Sequence, residues 1–121
     1  MTEKNQQEMS ACLFCKIVVK QIPASVIHED DQVVAFNDID PQAPTHILII
    51  PKKHIESIQN IRAEEQNLLY HMVQTAHQLA QSQKLTRGYR LVINNGPEGG
   101  QSVFHLHLHL LGGRKMTWPP G

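Results

Sequence analysis

The sequence predicts an α+β domain built on a mostly antiparallel sheet. Short β-rich runs, one long stretch with apolar residues three and four apart, and turn-forming segments between them all point that way. The segment "CLFCKIVVKQIP" reads as a short helix closed by Pro23, with Leu13, Ile17 and Phe14 near one face and Lys16 and Lys20 on another. After the turn-prone "HEDD", the run "QVVAFN" is β-rich. Two prolines and two aspartates make "DIDPQAP" an irregular connection to the apolar strand "THILIIP". From Glu64 to about Gln83, residues Leu68, Leu69, Met72, Val73, Ala76, Leu79 and Ala80 mark a helix that buries one side. Gly88 ends it, "YRLVIN" follows as a strand, "NGPEGG" supplies a turn, and "QSVFHLHLHLL" alternates with period two.

A chain of 121 residues and 13.7 kDa suits one domain, burying about two thirds of the surface its unfolded form exposes. Its expected extent is 12–121, preceded by a flexible polar N-terminus over 1–11. Eleven Lys and Arg balance eleven Asp and Glu, so no global field draws in nucleic acid or an anionic membrane. A bound phosphate must therefore be held locally. The opening "MTEKNQQEMSA" lacks the apolar stretch of a signal peptide, and no run approaches the roughly twenty apolar residues of a membrane span. A cytoplasmic protein is expected. In that reducing setting Cys12 and Cys15 are a metal half-site, a redox pair or packing.

The histidines of "HLHLHLL" carry the chemistry. On an extended strand Val103, His105, His107 and His109 share one face, while Phe104, Leu106, Leu108 and Leu110 take the core-facing side. The imidazoles would then follow one another at about 7 Å, the outer two starting roughly 13 Å apart, too far for one ion to hold all three. At least one is left to act as a nucleophile or proton carrier. The adjoining "NNGPEGGQS", rich in glycine and carrying the Ser102 hydroxyl, can aim backbone N–H groups at an anion. Together they fit phosphoryl chemistry at one centre.

The run "HLHLHLL" matches the His-x-His-x-His-x-x pattern that names the histidine triad (HIT) family of nucleotide hydrolases and transferases. "FNDIDPQAPTHILIIPKKHI", "GYRLVINNG", "GGQSVFHLHLHLLGGR" and the terminal "WPPG" resemble its Hint branch, the histidine triad nucleotide-binding proteins, over nearly all of the chain from Cys12. The resemblance implies a HIT-like fold of about five strands with a short N-terminal helix and one long helix, the sheet continuing across a homodimer. It implies hydrolysis of purine nucleoside 5′-phosphoramidates to the monophosphate and an amine, with no cofactor required for catalysis.

By the same resemblance His107 is the nucleophile, His109 a donor to the phosphoryl oxygens, Ser102 a neighbour of the departing amine, and His46 a support for both histidines. Asp38 would grip the ribose hydroxyls, and Asn94, Gly100, Gln101 and Val103 would form the phosphate cradle. The base would slot among Leu13, Phe14, Ile17, Phe36, Ile39 and Leu48, each of which reads equally well as ordinary core. Some relatives complete a structural zinc from the cysteine pair and two histidines, here Cys12, Cys15, His54 and His105, while others work without metal. Asp40 stands where Hint proteins commonly have Ser, placing an extra charge near the ribose.

Two alternatives stay open: a dinucleoside polyphosphate hydrolase, as in the related Fhit branch, and a nucleotide-binding scaffold. The context of Ser102 and the "WPPG" end speak against the first. His28, His71 and His77 receive no role, and Lys52 and Lys53 read as solvated charges. Trp118, in a tail too rich in proline for helix, points to docking, and in Hint relatives that tail approaches the partner's active site.

Overall fold

The protein is described here by a computed structural model that covers residues 11–121. The expected flexible N-terminus, apart from Ala11, lies outside the described residues. Five strands pair antiparallel throughout, in the order β1-β2-β3-β5-β4. They are β1 (Val26–Glu29), β2 (Val33–Asn37), β3 (Thr45–Pro51), β4 (Tyr89–Val92) and β5 (Leu108–Gly112). Among the described residues two α-helices accompany them, α1 (Leu13–Val18) and α2 (Gln66–Ser82).

Each face of the sheet has its own core. Val33, Ala35, Ile47, Ile49, Leu108 and Leu110 meet Leu68, Met72, Ala76, Leu79 and Ala80 of α2. On the opposite face Val34, Phe36, Leu48 and Ile50 meet Phe14 and Ile17 of α1. Because β3 is covered on both sides, its sequence is a continuous apolar run rather than an alternation. His46 belongs to the α1 face by parity with Leu48 and Ile50, so strand geometry alone brings it to the side where β5 presents His109.

Strand β1 was not expected from the sequence. It has only four residues, three of them exposed, and so shows no alternation. Its partner is fixed by Asp30, whose Oδ1 accepts the N–H groups of Gln32 and Val33 at 2.8 and 3.0 Å. The other carboxylate oxygen receives Nε2 of His28 and of His71 at 2.8 and 2.7 Å, which ties α2 to the hairpin. Burial works against the charge on Asp30, but these hydrogen bonds outweigh it and hold the carboxyl well below its usual range.

Helix α1 also departs from expectation. It ends at Val18, before a left-handed Lys20, rather than running to Pro23. Phe14 is buried with Ile17, whereas Leu13 is half exposed, because the helix rests on the sheet through Phe14, Cys15 and Ile17. In α2 the expected stripe is buried except for Leu69, which is half-buried, and Val73, which faces out.

The connection out of β5 is tight. Gly113 has φ of 89°, and a Cβ there would come within 2.9 Å of Pro44. Pro44 lies in the loop that leads into His46, and its ring cannot swing aside. Gly113→Ala is therefore expected to cost about 1–3 kcal/mol from the clash and the left-handed backbone together. Thermal denaturation checks this, and an unchanged midpoint would contradict it.

Candidate active site

The histidine segment is not the uniform strand that its alternation predicts. Only Leu108–Gly112 is strand, and residues 101–107 form a loop whose hydrogen bonds go elsewhere. The Gln101 side chain is buried and fully used: Oε1 accepts the Gly96 N–H at 2.9 Å, and Nε2 donates to the carbonyls of Glu56 and Val103 at 2.8 and 3.1 Å. The Leu106 N–H donates to the Ile55 carbonyl at 2.6 Å. As a result Phe104, expected in the core, is exposed, while Leu106, Leu108 and Leu110 are buried as expected. The imidazoles are no straight row either. His105 turns toward α1 and is completely buried, and the rings of His107 and His109 stand with centroids 5.0 Å apart.

The hydrogen bonds of these rings settle which nitrogen carries the proton. His107 Nδ1 lies 2.7 Å from the His105 carbonyl oxygen, which can only accept, so Nδ1 bears the hydrogen and Nε2 presents its lone pair. For His46 the order is reversed. The Gln42 N–H donates to His46 Nδ1 at 3.0 Å, so the hydrogen sits on Nε2, which donates to His109 Nδ1 at 2.9 Å. His109 must then carry its own hydrogen on Nε2. That nitrogen is buried and has no partner among the described residues. An unbonded lone pair on His107 thus stands near an unbonded N–H donor on His109, so the two rings can offer an acceptor and a donor to one ligand.

Burial lowers the pKa of both rings. For His107 the effect is opposed by the bond to the His105 carbonyl and by the Asp38 charge. His109 falls to about 4 through burial and the neighbouring His107 and His46. Both are neutral at pH 7. Because His109 binds its proton less readily when folded, its contribution to stability is present above the ordinary value of 6.5 and is lost as pH falls toward about 4.

His46 and Asp38 flank this pair from the β2–β3 side. Asp38 Oδ2 lies 3.5 Å from His46 Nε2, and Oδ1 accepts the Asp40 N–H at 2.8 Å, leaving the carboxylate partly engaged in its own turn. Asp40 itself is exposed. Phe14 sets its ring edge-on to Phe36, His107 and His105, with centroids at 5.5, 5.2 and 6.0 Å. Ile17, Phe36, Leu48 and Val103 complete that apolar wall, whereas Ile39 is wholly exposed on the loop after β2. Gly100 has φ of 89°, and a Cβ there would stand 3.9 Å from the Asn94 carboxamide, so the two sit side by side in the glycine turn. Ser102 is exposed and lines a cavity of about 520 Å³ with Cys12, Leu13, His54, Val103 and Phe104.

The cysteine pair is brought to His105, as the family resemblance implies. Cys12 Sγ is 3.3 Å from His105 Nδ1, and Cys15 Sγ is 3.2 and 3.5 Å from Nδ1 of His54 and His105. All four ligand atoms lie within 4.8 Å of one another. Sulfur and nitrogen ligands around a tetrahedral zinc stand about 3.3–3.8 Å apart, so the set fits that ion. The far nitrogen of His105, Nε2, donates to the Pro51 carbonyl at 2.8 Å, which leaves Nδ1 free as a ligand. Without a metal, burial and the neighbouring Cys12 push the Cys15 thiol up, and burial drops His105 to about 4. The imidazole is ready to ligate, and the thiol needs a cation to ionise.

Some functional positions had no signal in the sequence. The Gln42 N–H sets the tautomer of His46, and any residue but proline supplies that group. The Arg114 Nε–H holds the Gln42 carbonyl at 3.1 Å, joining the C-terminal segment to the same loop. Lys53 pairs with the buried Glu65 at 2.6 Å and Lys52 with Glu29 at 3.0 Å, so neither is simply solvated. The partners Glu29 and Glu65 could not be read without knowing which strands and turns adjoin.

Comparison with known proteins agrees with this geometry. The HIT domain family matches residues 19–116. An uncharacterized HIT-like protein of Synechococcus elongatus is 53% identical over 90% of this chain and 96% of its own length. A 14 kDa zinc-binding protein of Zea mays is 52% identical over 93% of this chain and 89% of its own. The crystal structure of a HIT family hydrolase from Legionella pneumophila Philadelphia 1 superposes with a TM-score of 0.90 at 57% identity, covering 91% of this chain and 99% of that one. With the domain matched over most of its length and the paired histidines in place, this chain belongs to the HIT family.

Proposed function

We propose that the protein hydrolyses purine nucleoside 5′-phosphoramidates through a nucleotidyl-histidine intermediate. The observation that supports this most is the pair of opposite tautomers, His107 with a free lone pair on Nε2 and His109 with an unpartnered N–H. In this reading His107 Nε2 bonds to the α-phosphorus as the phosphorus–nitrogen bond breaks. The electron pair leaves on the amine nitrogen, which takes a proton relayed by the Ser102 hydroxyl. The Nδ1–H bond to the His105 carbonyl strengthens as the ring becomes cationic. His109 Nε2–H faces the phosphoryl oxygens throughout. Water then attacks phosphorus and passes a proton to solvent, the phosphorus–histidine bond breaks with its electron pair returning to Nε2, the monophosphate leaves and His107 returns to its neutral form.

Asp38 would hold the ribose, Asn94 and Gly100 the phosphate, and the wall of Leu13, Phe14, Ile17, Phe36, Ile39, Leu48 and Val103 the base. Gln101 shapes this cradle through its buried side-chain bonds. The Cys12, Cys15, His54 and His105 set would hold a structural zinc, as the name of the maize relative supports. We assign the working form to a homodimer and the catalytic domain to 12–121.

Assay of the purified protein against adenosine and guanosine phosphoramidates, with a dinucleoside polyphosphate as comparator, tests the reading. Faster turnover of the phosphoramidates is expected. Preference for the dinucleoside polyphosphate would replace the assignment with that of the other hydrolase branch, and no turnover of either would leave a binding protein.

The pH profile is a second check. With His107 lowered from 6.5, the acid limb of kcat/KM should be centred below 6.5, where the nucleophile takes a proton, and the profile should be level above about pH 7.5 on the acid-limb side. An acid limb centred above 6.5 would count against His107 as the base-form nucleophile.

A further inference from the structure

Far along β5 from the histidine pair, a second cavity of about 510 Å³ opens between the α2–β4 turn and the chain leaving the sheet. Lys84, Arg87, Arg114 and Lys115 line it from two segments, with Gly88 and Gly113 between them, and no acidic residue contributes. None of the four cations pairs with a carboxylate among the described residues, although Lys20, Lys52, Lys53 and Arg62 all do.

The chain as a whole is neutral, but its charges are segregated. From residue 66 onward it carries Lys84, Arg87, Arg90, Arg114 and Lys115 against a single acid, Glu98. Four like charges around one concavity repel one another and focus a positive field into it. The walls cannot easily spread to relieve this. The Leu85 N–H is bonded to the Ala80 carbonyl at 2.9 Å, and a Cβ on Gly112 would reach 2.5 Å from Leu85, so turn and strand are closely packed. Arg114 donates to the carbonyls of Gln42 and Lys115 at 3.1 and 3.2 Å, and beyond solvent only a bound anion can neutralise the charge of the group.

We propose that this cavity is a binding site for a small polyanion bearing a chain of phosphate groups. Its size lies within the range of small-ligand sites, about 300–1,000 Å³, and its four cations match the four negative charges of a triphosphate. The concave shape and the net negative charge of the rest of the molecule favour such a compact anion over a nucleic acid backbone. The site is separate from the histidine centre and does not depend on the chemistry assigned there.

Inorganic triphosphate and adenosine triphosphate, titrated separately at low ionic strength into the full chain, provide the test by calorimetry and by backbone amide NMR. Triphosphate should bind and shift the amides of 84–88 and 113–115. The variant Lys84→Gln/Arg87→Gln/Lys115→Gln, altered only at exposed positions, should bind it roughly ten- to hundredfold more weakly, with turnover at the histidine site retained. Equal affinity for both probes would assign the site to the phosphate chain alone, and tighter binding of the nucleotide would add a base contact. Shifts confined to the histidine loop, undiminished affinity in the variant, or no binding of either probe would overturn the proposal. Because the NMR arm uses the unaltered protein, the outcome does not hinge on the variant folding.

Discussion

His107→Ala is expected to lower phosphoramidate turnover by at least about four orders of magnitude, a loss of about 5 kcal/mol of transition-state stabilisation. The size follows from the role. The ring removed is the only imidazole of the pair whose Nε2 carries a lone pair, since His109 is committed by His46 to the opposite tautomer. Neither His109 nor His46 can take its place without giving up the bonds that orient them. Binding of a purine nucleoside monophosphate should persist, because Asp38 is held in its own turn and Phe14 and Phe36 also pack on each other and on Ile17, Val34, Leu48 and Ile50. His107→Gln, closer in volume, keeps the wall packed and separates lost chemistry from lost fit. Equilibrium binding alongside steady-state kinetics makes the measurement, and turnover within tenfold of the original would refute the nucleophile assignment. Rapid quench of the original protein with a labelled substrate adds a direct view, since the label should be found on His107 and the phosphorus should keep its configuration after two inversions.

How much of this was legible in the sequence depends on how local the cause is. The helix α2 and strands β2, β3 and β4 follow from periodicity and flanking turns, which act within a few residues. Strand β1 was invisible because its pairing comes from the Asp30 turn and β2, not from its own four residues. The alternation of "SVFHLHLHLL" was read as strand throughout, yet the buried Gln101 diverts the first half into a loop, a tertiary effect with no trace in the pattern. The same diversion explains why His105 leaves its neighbours and reaches the cysteines. The residues proposed for the site stand out in the sequence by their spacing and their likeness to a family. The tautomers were not, because they are set by the Gln42 N–H and the His105 carbonyl, groups that every ordinary residue possesses.

Protein purified without added metal is expected to contain about one zinc per chain, and Cys15→Ser to lose it. Removal should lower the thermal midpoint by more than about 10 °C, the scale set by a tightly bound ligand in a domain of this size. The fold should survive at ordinary temperature, because the α2-side core contains no residue of the cluster and the other core is formed mainly by Phe14, Ile17, Val34, Phe36, Leu48 and Ile50. Turnover should also fall, by about tenfold to a hundredfold, through a path that the geometry makes explicit. His105 offers Nδ1 to the cluster and its backbone carbonyl to His107, so a shift of the one residue moves the bond that orients the nucleophile. Without a bound cation Cys15 returns to a buried neutral thiol, and only weak sulfur hydrogen bonds and the edge-on rings of Phe14 and His54 hold the His105 ring on that side. Nitrogen-15 spectra of the imidazoles supply a readout independent of activity: His107 should lose its single tautomer when the metal is removed. Metal-free protein with an unshifted midpoint, one His107 tautomer and full turnover would show that the four residues pack together without holding an ion, and that the nucleophile is oriented by the loop alone.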